Sequence, residues 1–146
     1  MGTGAGKGLN FGNTNGSIEL NQPIKKLSDV RYSKKKTEGY LLNPDHPIGA
    51  GKAKFMREVL GYEQSDSHLF HKNVVKSIMG IVPSRTEETP FGLKHTFNTK
   101  LISKDGESIA ANVVVIIQKD NKRTTYKLIT VYPDKKGGNK EWMNLM

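Results

Sequence analysis

Four histidines, His46, His68, His71 and His95, are the side chains best suited to move protons near neutral pH, because imidazole titrates there without assistance. Around them stand 23 lysines and arginines against 14 acidic residues, a formal net charge of +9 with an isoelectric point near 9.7. A field of that sign concentrates polyanions, nucleic acid above all, although many basic proteins bind none. The acidic residues are scattered, and neither an H-E-x-x-H motif nor His and Asp at metal-ligand spacing occurs. Hard divalent cations need clustered carboxylates, so neither a metal nor any other cofactor is expected. RNA cleavage can proceed without one, since the 2′-hydroxyl is a built-in nucleophile. The protein must then supply a base for that hydroxyl, an acid for the leaving 5′-oxygen, and cations or donors for the charge building on phosphorus.

Each candidate for those tasks has two readings. His71 borders the Phe70, Val74, Ile78 stripe, where it either looks into a cleft or fills a half-buried structural place. His95 opens a strand on the Phe97, Leu101 face with the same two options. His46, between Asp45 and Pro47, suits a turn-stabilising hydrogen bond, and His68 suits a helix surface. Lys52 and Lys54 follow a glycine-rich turn at a helix start, where an ammonium and backbone amides can meet one phosphate, or where both lysines are simply exposed. Thr130 is a phosphate donor or an ordinary sheet residue. His71, His95, Lys52 and Thr130 are the expected catalytic set, and Lys54, Lys100, Arg123, Lys127 and Tyr132 the expected RNA contacts. Trp142 and the tyrosines can stack on bases, though packing is their commoner use.

Stepwise along the chain, residues 1–20 are Gly- and Asn-rich and read as a flexible tether, leaving 21–146 as one domain. The start lacks the charged-then-apolar order of a signal peptide, and no apolar run approaches the roughly 18 residues a membrane-spanning helix needs. Cysteine is absent, so the fold must stand on packing. Neither Gly2 to Gly8 nor Gly49 to Lys52 is a phosphate-binding loop, for the first lacks Ser or Thr after Lys7 and the second has His46 where its first glycine belongs. Ile24 to Lys36 is basic and is either a solvated segment or a phosphate-contacting arm. Tyr40 to Gly49, YLLNPDHPIG, carries two prolines and reads as a well-formed loop.

Two helices are expected next. Ala53, Met56, Val59 and Leu60 recur at helical spacing from about Gly51 until Gly61, and Phe70, Val74 and Ile78 rise four apart from an Asp66 or Ser67 cap to Gly80. Pro83 to Pro90 reads as a polar loop. The period then changes to two. Residues 94–102 form a strand with His95, Phe97, Thr99 and Leu101 on one face, and Asp105-Gly106 signals a tight hairpin. Residues 109–118 are apolar enough for a central strand, and residues 123–132 make a third strand stopped by Pro133. Strict alternation there puts Arg123 and Lys127 on one face and Thr130 and Tyr132 on the other. The chain end, with Trp142, Leu145 and Met146, is apolar enough to dock back. The fold class is α+β, with N-terminal helices packed on a small twisted antiparallel sheet.

The run Leu41-Leu42-Asn43-Pro44-Asp45-His46-Pro47, then Gly49 and Lys52-Ala53-Lys54-Phe55, resembles an uncharacterised domain found at the C-termini of bacterial polymorphic toxins and some phage head-morphogenesis proteins. That family opens with "LNP-x-HP-x-G…KA-x-F" and closes with "L-x-T-x-YP", matched by Leu128 to Pro133, so the likeness spans about residues 40 to 133. The order of helices then meander is similar to the barnase/EndoU/colicin/RelE ribonuclease superfamily, whose toxin members are metal-independent RNases of contact-dependent growth inhibition systems, often tRNases. The resemblance implies a secreted or cell-surface bacterial parent protein, an effector delivered into the target-cell cytoplasm, an acidic cognate immunity protein, and elongation factor Tu as a further partner. Lys52 and Thr130 match its motif, whereas His71 and His95 are placed by chemistry alone. The resulting expectation is an endoribonuclease cleaving tRNA to 2′,3′-cyclic phosphate ends in a basic cleft between the helices and the sheet. The alternatives are a non-catalytic nucleic-acid- or protein-binding module and a DNase.

Overall fold

A computed structural model of the chain describes residues 22–106, 109–119 and 122–134. The tether expected over 1–20 and the docking tail with Trp142 lie outside the described residues. The elements are β1 (Val30–Arg31), α1 (Lys34–Lys36), which runs on as a π-helical turn (Thr37–Leu41), α2 (Ala50–Glu58), α3 (Ser67–Ile78), β2 (Arg85–Thr89), β3 (Gly92–Ile102), β4 (Ala110–Lys119) and β5 (Tyr126–Pro133). Three helices and a five-stranded, mostly antiparallel sheet make an α+β fold, with strands ordered β1-β5-β4-β3-β2. The outermost pair, β1 with β5, is parallel, Val30 lying opposite Tyr126 and Arg31 opposite Lys127.

Both longer helices follow from apolar spacing. α2 buries Ala53, Phe55 and Met56, and the chain turns off it at Gly61, whose φ of +82° suits a residue without Cβ. α3 buries Phe70, Val74, Val75 and Ile78 on one stripe and stops before Gly80, with φ of +69°. Asp66 does not cap α3 through its side chain; its carboxylate instead accepts the Glu63 amide at 2.9 Å, closing the preceding 3-10 turn. The helices cover the sheet face that displays Phe97, Leu101, Val113, Val115, Ile117 and Val131, all essentially unexposed. Thr99, on that same face, donates to the Ser77 carbonyl of α3 at 2.6 Å.

Five features differ from the sequence expectation, the first being α1 and its π-helical turn, which take up the end of the basic stretch and the start of the segment read as a loop. The meander has four strands, since the polar stretch read as a loop holds β2, an edge strand pairing with β3 from Arg85↔Thr96 to Thr89↔Gly92. Edge strands tolerate such charge because half their backbone faces outward. β1 is a fifth strand, too short to show periodicity. The hairpin around Asp105-Gly106 is wider than a two-residue turn, for β3–β4 pairing ends at Ile102↔Ala110 and Ser103 N then donates to the Ile109 carbonyl. Finally, β5 begins at Tyr126 rather than Arg123, and it is bulged.

That bulge decides what the sheet presents. Ile117 faces Leu128 but Ile116 faces Thr130, so Ile129 is an extra residue that shifts the alternation by one. Opposed residues in an antiparallel pair project to the same side. Lys127, Thr130 and Tyr132 therefore share the face of Gln118, Ile116 and Val114. The strict alternation that separated Lys127 from Thr130 and Tyr132 is thereby corrected.

Candidate functional site

The loop after the π-helical turn is built by its own side chains. Asn43 Oδ1 accepts the Asp45 amide at 2.9 Å, and His46 Nδ1 accepts the amides of Ile48 and Gly49, each at 3.0 Å. His46 thus does the turn-stabilising work that its place between Asp45 and Pro47 suggested, and its ring proton must reside on Nε2. The loop brings Gly49 against Tyr40 and starts α2 so that Lys52 points back to the same tyrosine.

Lys52 Nζ donates to Tyr40 Oη at 3.0 Å and to Thr130 Oγ1 at 3.3 Å. It also lies 5.4 Å from the Tyr40 ring centroid and 5.6 Å from that of Tyr132. Lys36, one helical turn before Tyr40, holds its ammonium 4.6 Å from the Tyr40 ring. The Lys52 hydrogen bond, with smaller help from Thr130 and from the charge of Lys36, draws the Tyr40 phenol below its ordinary pKa of 10.0. Burial lowers Lys36 below 10.5, and the charges of Lys127 and Lys52 add to that depression. Two lysines, a hydroxyl and an activated phenol thus converge where the residues 78 positions apart, Lys52 and Thr130, meet.

Beside this cluster, on the side of β1, a cleft of about 890 Å³ opens between the Leu27–Thr37 stretch, α3 and the start of β5. Its cations are Arg31, Lys36, Lys72 and Lys127, and its rings are those of Tyr32, His68 and His71. Lys36 belongs to both places and joins them. Tyr32 Oη lies 2.6 Å from Ser67 Oγ, which in turn donates to Glu38 Oε2 at 2.9 Å, so the phenol proton is the one directed at serine. Of the basic stretch, Arg31 and Lys36 line the cleft while Lys25, Lys26, Lys34 and Lys35 are exposed.

The expected residues divide. Lys52, Thr130 and Tyr132 come together, with Lys127 on the same sheet face. His71 lines the cleft but is buried, its Nε2 donating to the Val30 carbonyl at 3.2 Å, and burial holds its pKa below 6.5. His95 is elsewhere: it is 2% exposed in the core between Thr86, at 2.9 Å, and Tyr126, at 3.4 Å, and burial depresses it likewise. An imidazole sealed there does not reach a substrate. Lys54 is exposed beside Asp45 and Arg57, turned from Lys52 because residues two apart on a helix face different ways. Lys100 is exposed on β3, opposite Asn112 and two strands from Thr130. Arg123 is exposed in the loop before β5. The residue missed was Tyr40, while Lys36 and Tyr32 lay in the basic stretch read as either a solvated segment or a phosphate-contacting arm, with no role of their own. For Tyr40 a signal existed, since a tyrosine one loop ahead of a glycine and a helix-opening lysine can be reached by that lysine.

Among the described residues, no three of His, Asp and Glu converge in a way that could hold a metal ion, and no helix is long and apolar enough to cross a membrane. Fold and site together define an α+β domain with a basic, tyrosine-bearing cleft at the sheet edge. The chain belongs to the family described as "Domain of unknown function (DUF6883)", which matches residues 24–135 and so takes in both the cleft and the Tyr40 cluster. Neither a curated protein nor a solved structure matches the chain.

Proposed function

We propose that this domain is a metal-independent endoribonuclease of the barnase/EndoU/colicin/RelE type, a toxin effector that cleaves RNA, with tRNA as its first substrate to test. The single observation that carries the proposal is the double reach of Lys52 to Tyr40 Oη and Thr130 Oγ1 at the end of a basic cleft. The scissile phosphate sits on Lys52 and Thr130, with Lys127 on the same face steering the strand. Tyr40, as phenolate, takes the proton of the ribose 2′-hydroxyl, whose oxygen attacks the adjacent phosphorus. Lys52 stabilises the charge that gathers on the non-bridging oxygens. The bond from phosphorus to the 5′-oxygen breaks, and the Lys36 ammonium, made more acidic by burial, protonates that oxygen. The products are a 2′,3′-cyclic phosphate and a 5′-hydroxyl, and solvent returns the proton from Tyr40 to Lys36. The acid and base roles first expected of His71 and His95 pass to Lys36 and Tyr40, because His95 is sealed in the core and His71 is held on the Val30 carbonyl in the wall of the neighbouring cleft.

The reading carries with it an acidic immunity protein that covers the same cations, delivery from a secreted parent protein, and elongation factor Tu as a host factor to be tested by addition. The deciding assay incubates the full chain with tRNA in EDTA and compares Tyr40→Phe, Lys52→Met, Thr130→Val and His95→Gln. Losses on the order of 10²-fold are expected for the first two, since removing a proton-transfer group or an oxyanion donor costs that much. His95→Gln, if folded, keeps cleaving. Full activity in Tyr40→Phe, Lys52→Met and Thr130→Val together refutes the site, and an inert parent chain refutes the enzyme.

A further inference from the structure

The cleft beside the Tyr40 cluster holds more than a phosphate site requires. A phosphate needs cations and donors, yet here three rings meet, Tyr32 lying edge-on to His68 at 5.1 Å and to His71 at 5.2 Å between centroids. Two buried polar atoms in its wall have no hydrogen-bond partner, Arg31 Nε and His71 Nδ1. Their characters are opposite. Arg31 Nε–H can only donate, and because His71 Nε2 must keep its proton to bind the Val30 carbonyl, neutral His71 offers Nδ1 as an acceptor. Buried groups of this kind are normally satisfied, so an unpaired donor and an unpaired acceptor that the cleft wall covers ask for a ligand that supplies both when the wall opens to admit it.

We propose that this cleft binds a nucleobase, the one next to the phosphate held at Lys52 and Thr130, so that Tyr32 and His68 stack on it while Arg31 and His71 read its edge. The proposal rests on the ribonuclease reading and adds its specificity subsite. The Watson–Crick edge of every nucleobase sets a donor beside an acceptor, and stacking on aromatic side chains is the usual way in which a splayed-out RNA base is held. The volume of about 890 Å³ lies within the range of small-molecule pockets. Lys36 lines the cleft and stands over Tyr40, which places base and phosphate at neighbouring positions of one strand. Tyr32 and His68 are partly or well exposed and can move aside to admit a ring.

The test uses binding, so that it does not depend on cleavage. The full chain is titrated with AMP, GMP, CMP and UMP, and separately with inorganic phosphate, while backbone amide shifts are followed by NMR. Nucleotides should move Arg31, Tyr32, His68 and His71, which phosphate leaves in place, and one nucleotide should bind at least about threefold tighter than the weakest. Tyr32→Leu and His68→Ala should each weaken that binding about tenfold and leave phosphate binding unchanged. Nucleotide shifts no different from those of phosphate, no binding, or wild-type affinity in both variants overturns the base subsite. A chain that binds nucleotides in this cleft but cleaves no RNA refutes the ribonuclease reading alone, and a chain that cleaves RNA but ignores the nucleotides refutes the subsite alone.

Discussion

Gly49 and Tyr40 touch so closely that a methyl group has no room between them: a Cβ on Gly49 would stand 2.9 Å from the Tyr40 carbonyl oxygen and 3.1 Å from two of its ring carbons. The backbone of Gly49, at φ −91° and ψ −2°, is one that alanine adopts without strain, so the contact alone makes glycine necessary. Gly49→Ala should therefore push the Tyr40 ring off Lys52. A cost of about 1–3 kcal/mol is expected from overpacking, visible as a lowered thermal midpoint. Cleavage should fall by more than the unfolded fraction accounts for, and unchanged activity would detach Tyr40 from the reaction.

The lowered pKa of Tyr40 comes first from the Lys52 hydrogen bond. In Lys52→Met, tyrosinate absorbance on alkaline titration should lose its earliest-titrating component, which moves upward toward the range of ordinary phenols. Tyr40→Phe should remove the same component. If neither variant alters the titration, the activating contact between these two residues does not exist in solution.

Two buried histidines make acid the weak side of this fold. His71 and His95 are both depressed by burial below their ordinary 6.5, so on acidification the unfolded chain takes up protons that the folded chain refuses. Folded stability is full above about pH 6.5 and declines as pH falls from there toward the lowered native values, by at most about 1.4 kcal/mol per pH unit for each histidine. Thermal midpoints measured from pH 7.5 to 5 should drop, and His95→Gln should flatten the slope. A midpoint that rises on acidification would contradict the burial of both rings.

Thr130→Val preserves the shape and the β-branched character of the bulged strand while removing one hydroxyl. Stability should fall by about 0.5–1.5 kcal/mol, the net worth of the one hydrogen bond that goes with the hydroxyl. Cleavage should fall about tenfold or more, because the hydroxyl is partner to Lys52 in holding phosphate. Equal loss in stability and activity would assign Thr130 a packing role only.

RNA affinity should weaken with salt, and Lys127→Ala should lower the slope of log K against log salt by about 0.7, the value for one lost contact on a single strand. Lys100→Ala, two strands away, should leave the slope nearly unchanged if the strand runs from the cleft to Thr130 rather than across the whole sheet. A slope that drops with Lys100 and not with Lys127 would move the RNA path onto β3.

Two of the three helices and three of the strands were legible because their apolar residues follow a pattern: Phe70, Val74 and Ile78 four apart, or Phe97 and Leu101 in alternation, report one buried face each, and residues 109–118 are apolar nearly throughout. What escaped has no local pattern. β1 is two residues long and exists only because β5, about a hundred residues later, lies beside it. The Ile129 bulge depends on how β4 and β5 register, which a single strand's alternation cannot express. Tyr40 was hidden for a similar reason, since its meaning arises from a loop closed by Asn43 and His46 and from a lysine delivered by the next helix. The cationic candidates fared by position rather than by type: Lys52 is turned to the site and Lys54 away from it by the same helical geometry.

The most direct measurement concerns the ends that the reaction leaves. RNA incubated with the purified chain in EDTA should yield fragments bearing 2′,3′-cyclic phosphate and 5′-hydroxyl groups, with a 2′-deoxy substitution at the cleavage position blocking the cut. Fragments ending in 3′-hydroxyl and 5′-phosphate, cleavage that survives the deoxy substitution, or intact RNA throughout would contradict attack by the ribose oxygen in the Tyr40–Lys52–Thr130 cluster.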